Sequence, residues 1–254
     1  MNVYCGTIGW SYSFWKGPFY PAKLPSAKFL QFYASQFNTV EVDNTFYRIP
    51  NEQTMLNWKQ QTPDNFVFSL KFPNIITHVK MLRDCQRETA LFLERAMLLG
   101  KKLGPMLLQF PPSFGDEHFS DLAAYLVGLP RGLRFVVEVR NQTLLHDRFY
   151  QLLKDNKIAS AWVDSPIMPK NLELTSDFVY LRLEGDRGKV NGLQGKVEVD
   201  RSADVKGWAE KLAACKADGR TVFGYFGKYF SGFPPLDVRH FMEAMGVGHQ
   251  KTLL

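Results

Sequence analysis

The run Arg134-Phe135-Val136-Val137-Glu138-Val139-Arg140 decides the fold. Phe135, Val137 and Val139 fall on one face of an extended chain and Glu138 and Arg140 on the other, the period of two that marks a strand. The first face stays apolar throughout, whereas the second turns charged at its C-terminal end. That combination suits a strand with helices packed on one side and a pocket opening at the tip of the other. Outward from it, Phe119, Leu122, Ala123 and Leu126 precede the run at helical spacing, and a helix-like stretch around Leu145–Asn156 follows.

The same unit recurs along the chain. Strands are expected at Val3–Gly6, Thr39–Asp43, Phe66–Lys71, Met106–Phe110, Arg134–Val139, Ala159–Asp164, Phe178–Leu183 and Thr221–Phe226, all rich in β-branched and aromatic residues. Between them lie helical stripes. Ser26 is placed to cap a helix carrying Phe29, Tyr33 and Phe37, and Asn51 to cap the next. Phe92, Ala96, Leu99 and Leu103 form a third, with Gly104-Pro105 expected to end it. Val205, Trp208, Leu212 and Cys215 form another, and Val238, Phe241, Met242 and Met245 the last. Alternating β and α predicts an α/β fold, a single (β/α)8 TIM-like barrel spanning residues 1–254. The helix after strand six should be short or missing, because Ser165–Asp177 is brief and holds Pro166 and Pro169. A doubly wound open sheet is the competing topology, and Gly6-Thr7-Ile8-Gly9 is only a weak echo of its glycine-rich first turn.

A chain of 254 residues, 45% hydrophobic and 22% charged, is ordinary for a soluble domain. No apolar run approaches membrane-spanning length, and Met1–Gly6 shows no secretory signal. The three cysteines, Cys5, Cys85 and Cys215, make no CxxC pair and read as reduced thiols of a cytoplasmic protein. A net charge of +6 permits attraction to nucleic acid or anionic metabolites but is a weak signal over this length.

Alternation sorts the remaining strand ends. Glu41 and Asp43 separate from Val40 and Val42, Lys71 from Leu70, Gln109 from Leu108, and Arg182 and Glu184 from Leu181 and Leu183. Strand six leaves Asp164 with Trp162. Glu41, Lys71, Gln109, Glu138, Arg140, Asp164 and Arg182 are therefore expected to converge at the barrel mouth. Burying them is costly unless they pair or bind something. They form either a site or a closed ion-pair plug. As a site, Glu41, Glu138 and Asp164 are the acid/base candidates, with His78 beside them as a proton carrier. Lys71, Arg140 and Arg182 suit a phosphate or carboxylate, and Gln109 adds an amide. With five histidines, only His78 of them near the mouth, a histidine-rich zinc site is not expected. No metal ligand set and no cofactor is predicted; Mg2+ or Mn2+ on the carboxylates is chemically compatible but unsupported.

Two long connections overhang the mouth. Thr7–Pro25 carries Trp10, Tyr12, Phe14, Trp15, Phe19 and Tyr20, and either caps the barrel by packing on itself or offers Trp10 and Tyr12 to a ligand. Gly185–Ser202 is glycine-rich and basic, with Arg187, Lys189 and Lys196.

Several motifs resemble one family. Gly6-Thr7-Ile8-Gly9-Trp10-Ser11-Tyr12 and Val40-Glu41-Val42-Asp43-Asn44-Thr45-Phe46-Tyr47 are similar to the opening segments of the YecE-like proteins, the domain of unknown function 72. Phe68-Ser69-Leu70-Lys71-Phe72-Pro73, Leu108-Gln109-Phe110-Pro111-Pro112, Val137-Glu138-Val139-Arg140 and Tyr180-Leu181-Arg182-Leu183 agree with it as well. The resemblance implies a barrel-like architecture and no established activity. The chain departs from the family's pattern at Glu184, where a histidine is common, and at Gly227-Lys228, where two asparagines are. The expected function is an enzyme acting on a small anionic molecule by carboxylate acid/base chemistry. A nucleic-acid-binding or processing protein and a non-catalytic scaffold are the alternatives, and the oligomeric state is left open.

Overall fold

A computed structural model describes residues 3–247, the side chains of 216 and 217 excepted. Its strands are all parallel and fall into two sheets. The first holds β2 (Thr39–Val42), β3 (Val67–Lys71), β4 (Leu103–Gln109), β5 (Phe135–Glu138) and β6 (Ala159–Ser160), in that order. The second runs β1 (Val3–Thr7), β9 (Thr221–Gly227), β8 (Phe178–Gly185), β7 (Trp162–Asp164). Parallel neighbours need crossovers, and helices supply most of them.

The sixth expected strand is divided. Ala159–Ser160 pairs with β5 and Trp162–Asp164 with β8, so one short segment serves both sheets. At this seam the Ala161 N–H donates to the Val137 carbonyl. At the other seam Ile8 bridges Glu41, and the Gly9 N–H donates to the Glu41 carbonyl at 2.8 Å. Gly6 allows that approach: a Cβ there would lie 2.0 Å from the Thr39 oxygen. No helix occupies residues 165–177.

Helix ends differ from expectation in two places. Asn51 does cap its helix, accepting from the Thr54 N–H at 2.9 Å. Ser26 instead opens a short turn before the helix Phe29–Gln36, which has no side-chain cap. Gly104-Pro105 lies inside β4 rather than ending a helix, because the helix already stops at Met97. There the Pro105 carbonyl is used by the Ser69 hydroxyl.

Apolar packing has two layers. The larger lies between strands and helices and takes in Val40, Leu70, Leu108, Val137 and Leu181. The smaller lies on the opposite strand faces and includes Val67, Leu107, Val136, Phe178, Tyr180, Phe223 and Tyr225. Moving toward the C-terminal ends of the strands, this inner face changes from apolar rings to hydroxyls and then to charges. The Thr7–Pro25 connection mostly packs on the helix beside it: Trp15 and Tyr20 are fully buried, and Tyr20 stacks on Phe29 at 4.1 Å.

Candidate functional site

Arg182 is the centre of the charged layer and is only 2% exposed. Its Nε and Nη2 donate to the two oxygens of Glu41, each at 2.9 Å. Its Nη1 donates to both Glu138 and Glu184. Arg140 closes the far side, donating from Nε to Glu138 at 3.0 Å and from Nη2 to both oxygens of Glu184. Gln109 donates its amide to Glu138 at 2.7 Å. Beneath, the Tyr180 hydroxyl donates to Glu41 at 2.7 Å and shares a hydrogen bond with Ser69. Strand alternation puts every one of these groups on the same face.

The two deepest carboxylates differ. Burial pushes the Glu41 carboxyl up from its ordinary value, and Arg182 and Tyr180 only partly oppose it. Burial acts on Glu138 the same way, but Arg182 and Arg140 together outweigh it and hold that carboxyl at about 2. Arg182 itself, though burial disfavours its charge, is pushed well above its ordinary value by three carboxylates. All oxygens of Glu41 and Glu138 already accept hydrogen bonds from the protein.

Above this layer lies a cavity of about 350 Å3, reached by Lys71, Gln109, Arg140, Arg182 and Glu184 from the strands and by Arg187, Lys228, Tyr229 and Tyr12 from the loops. Lys71 pairs with Asp43 at 3.0 Å and rests 4.0 Å from the centre of the Phe46 ring. Asp43 Oδ2 has no donor among the described residues. Lys228 and Arg187 have no carboxylate partner there; Lys228 lies over Tyr12 and Tyr229, and Arg187 over Tyr229 at 4.9 Å. Gly185, at φ 73, turns β8 into the loop so closely that a Cβ would lie 2.0 Å from the Tyr229 oxygen.

Glu41, Lys71, Gln109, Glu138, Arg140 and Arg182 are thus brought together as expected from alternation. Asp164 is not. Val163 is the inward residue of β7, and Asp164 points to the helical side, where Trp208 donates to it at 2.6 Å and Lys170 lies at 3.1 Å. His78 stands beside the mouth, edge-on to Phe46, with Nδ1 at 2.9 Å from the Thr77 hydroxyl. Burial, then Lys71 and Arg140, lower it to about 4, so its imidazole is neutral at pH 7. Tyr12 lines the cavity and donates to the Ile8 carbonyl, whereas Trp10 lines an adjoining chamber. Asp43, Glu184, Arg187, Lys228 and Tyr229 were not among the expected site residues. Glu184 shares the inward parity of Arg182 and was visible in the pattern; the loop residues have no period to reveal them. Among the described residues, no group of three or more His, Cys, Asp or Glu side chains is arranged to hold a metal ion; His249 lies outside them.

Residues 4–254 match the family model described as protein of unknown function DUF72. The chain belongs to this family. UPF0759 protein YecE of Escherichia coli (strain K12) is 35% identical over 139 residues, which cover 55% of this chain and 48% of YecE. UPF0759 protein YunF of Bacillus subtilis (strain 168) is 28% identical over 172 residues, 64% of this chain and 59% of YunF. The chain thus spans about half the length of the curated relatives it matches. The crystal structure of the DUF72 family protein TM1631 from Thermotoga maritima MSB8 superposes with a TM-score of 0.81 at 24% identity, covering 97% of this chain and 100% of that one. The DUF72 family protein EF0366 from Enterococcus faecalis V583 gives 0.80 at 20% identity, covering 99% of both. These likenesses carry the fold and no activity.

Proposed function

We propose that the chain is an enzyme acting on a small molecule that bears a phosphate or carboxylate, bound in the 350 Å3 cavity at the C-terminal ends of the strands. One observation carries this reading: Lys228 and Arg187 line the cavity together with Lys71 and Arg140, lie over aromatic rings and have no carboxylate partner among the described residues. Unpaired cations at a partly enclosed site favour an anion more strongly than they would in bulk water. The buried carboxylates serve as supports in this reading. With their oxygens occupied, Glu41 and Glu138 hold the two arginines in place, and the proton-moving role passes to Asp43, which lines the cavity, pairs with Lys71 through Oδ1 and keeps Oδ2 without a donor among the described residues.

We further propose that the two sheets are the halves of one eight-unit barrel forming a single domain. Support comes from the divided sixth strand at one seam, the Ile8–Glu41 bridge at the other, and an inner cluster drawn from both sheets. Three free, buried cysteines favour a reducing compartment such as the cytoplasm. No helix among the described residues is long and apolar enough to cross a membrane. The saturated Arg182 network favours a second reading, a non-catalytic scaffold.

A thermal-shift screen of phosphorylated and carboxylated metabolites, with and without Mg2+ or Mn2+, separates the two. The enzyme reading expects a stabilising ligand whose effect Lys228→Ala removes while leaving the unliganded melting temperature within about 2 °C, since a surface substitution free of ion pairs changes stability little. It further expects Asp43→Asn to retain binding and lose turnover of that ligand. Silence across the panel from a folded protein overturns the reading and leaves the scaffold.

A further inference from the structure

The cavity has a second chamber. A space of about 400 Å3 lies beside it, and Tyr12, Asp43, Arg187, Lys228 and Tyr229 line both. The shared wall carries Lys228 and Arg187, neither with a carboxylate partner among the described residues, so an anionic group would be favoured there. The chambers themselves differ in chemistry. The first has Lys71, Arg140 and Arg182 of its own. The second adds no cation; its own groups are Ser11, Asn44, Trp10 and Tyr47, together with the shared Asp43.

Those groups are the donors and acceptors that read hydroxyls. The Ser11 hydroxyl and the Asn44 amide make no hydrogen bond among the described residues, and Asp43 keeps one oxygen free. Tyr47, 70% exposed, and Tyr12, packed on Phe14 and Trp15, both line the chamber. Neutral polar groups beside aromatic faces suit a ring or chain that is apolar on its C–H side and rich in hydroxyls at its edge.

We infer that the ligand is a polyhydroxylated phosphate ester of sugar-phosphate type, its anion at Lys228 and Arg187 and its hydroxyl-bearing part in the second chamber against Ser11, Asn44 and Asp43. This rests on the anion-binding reading above and extends it to the rest of the molecule. The second chamber then acts as the specificity pocket: it discriminates by hydroxyl pattern, while the shared wall discriminates by charge.

Calorimetric titration of the full chain with inorganic phosphate, ribose 5-phosphate and ribose tests it. Ribose 5-phosphate is expected to bind about tenfold more tightly than phosphate, the size of a few added hydrogen bonds and one ring contact. Ribose alone should bind far more weakly than either. The double variant Ser11→Ala, Asn44→Ala should lower ribose 5-phosphate to the affinity of phosphate and leave phosphate unchanged. Lys228→Ala should weaken both. Equal affinity for phosphate and ribose 5-phosphate, still dependent on Lys228, overturns the two-chamber inference and leaves the anion reading standing. No binding of phosphate or ribose 5-phosphate to a protein whose circular dichroism is native overturns both.

Discussion

The floor and the rim of the cavity are built from the same residue types and handled in opposite ways. On the floor, Glu41, Glu138 and Arg182 are almost wholly buried and every carboxylate oxygen is taken. At the rim, Lys228, Arg187 and Asp43 keep valences that nothing in the described chain fills. Desolvation explains the contrast. A buried charge left unpaired costs several kcal/mol, whereas a charge near water can wait for a ligand at little cost. Convergence of charged residues therefore does not by itself mark reacting groups, because a saturated network has no valence left for a ligand.

The strongest way to break the comparison is to remove the floor's shared cation. Arg182→Met leaves Glu41, Glu138 and Glu184 close together with only Arg140 to balance them. Loss of one partner from a buried pair typically costs about 3–5 kcal/mol, and this substitution affects three. Urea denaturation should show a large drop in midpoint or no folded protein at all. A midpoint matching the parent would mean that the floor does not depend on its own ion pairs.

A smaller effect separates the two deep carboxylates by pH. Glu138 sits at about 2 in the folded chain, below the ordinary carboxylate value near ~4.3. Its stabilising contribution is therefore present above the ordinary value and is lost as pH falls through about 2. Glu41 is raised, so its contribution has the opposite sign: stability declines as pH climbs from the ordinary value toward the raised one. Glu138→Gln should cost about 3 kcal/mol at neutral pH and flatten the loss of stability between about pH 4 and 2. Glu41→Gln leaves two carboxylates facing two arginines and should cost less, with the acid limb intact. Denaturation midpoints from pH 2 to 8 decide it; a flattened limb in Glu41→Gln and not in Glu138→Gln would reverse the assignment.

What the chain reveals in one dimension follows the same physics. Alternation is local, so the inward placement of Glu41, Lys71, Gln109, Glu138, Arg140 and Arg182 was legible from neighbours one and two residues away. Asp164 was misread because its strand is divided at Ala161, between the two sheets, and its polarity suggested the wrong face. Two of the groups that satisfy it, Trp208 and Arg201, come from a distant segment and leave no trace beside it, and the third, Lys170, lies on the irregular connection that follows. Glu184 carried the right parity yet looked like a departure from a family pattern rather than a member of the network. Lys228 and Arg187 sit on connections, where no period constrains a side chain, so only the folded chain brings them over the cavity. The reading of eight alternating strand segments survived because hydrophobic period is redundant, repeated in every unit.

The mildest test uses His78 as a reporter on the rim. Burial first, then Lys71 and Arg140, put its titration at about 4 instead of the ordinary ~6.5. A histidine depressed in this way favours the neutral form, so its contribution to stability declines as pH falls from the ordinary value through about 4. Because burial is the largest cause, Lys71→Met should raise the His78 midpoint by less than about one pH unit. Proton NMR of the imidazole reads this directly. Inorganic phosphate bound near Lys71 and Arg140 should move the midpoint in the same direction, since an anion offsets the cations that oppose protonation. That common direction ties the histidine to the cations that line the cavity. A midpoint near 6.5 in the parent chain, unmoved by Lys71→Met and by phosphate, would show that the rim's field does not reach it and that His78 belongs to the loop alone.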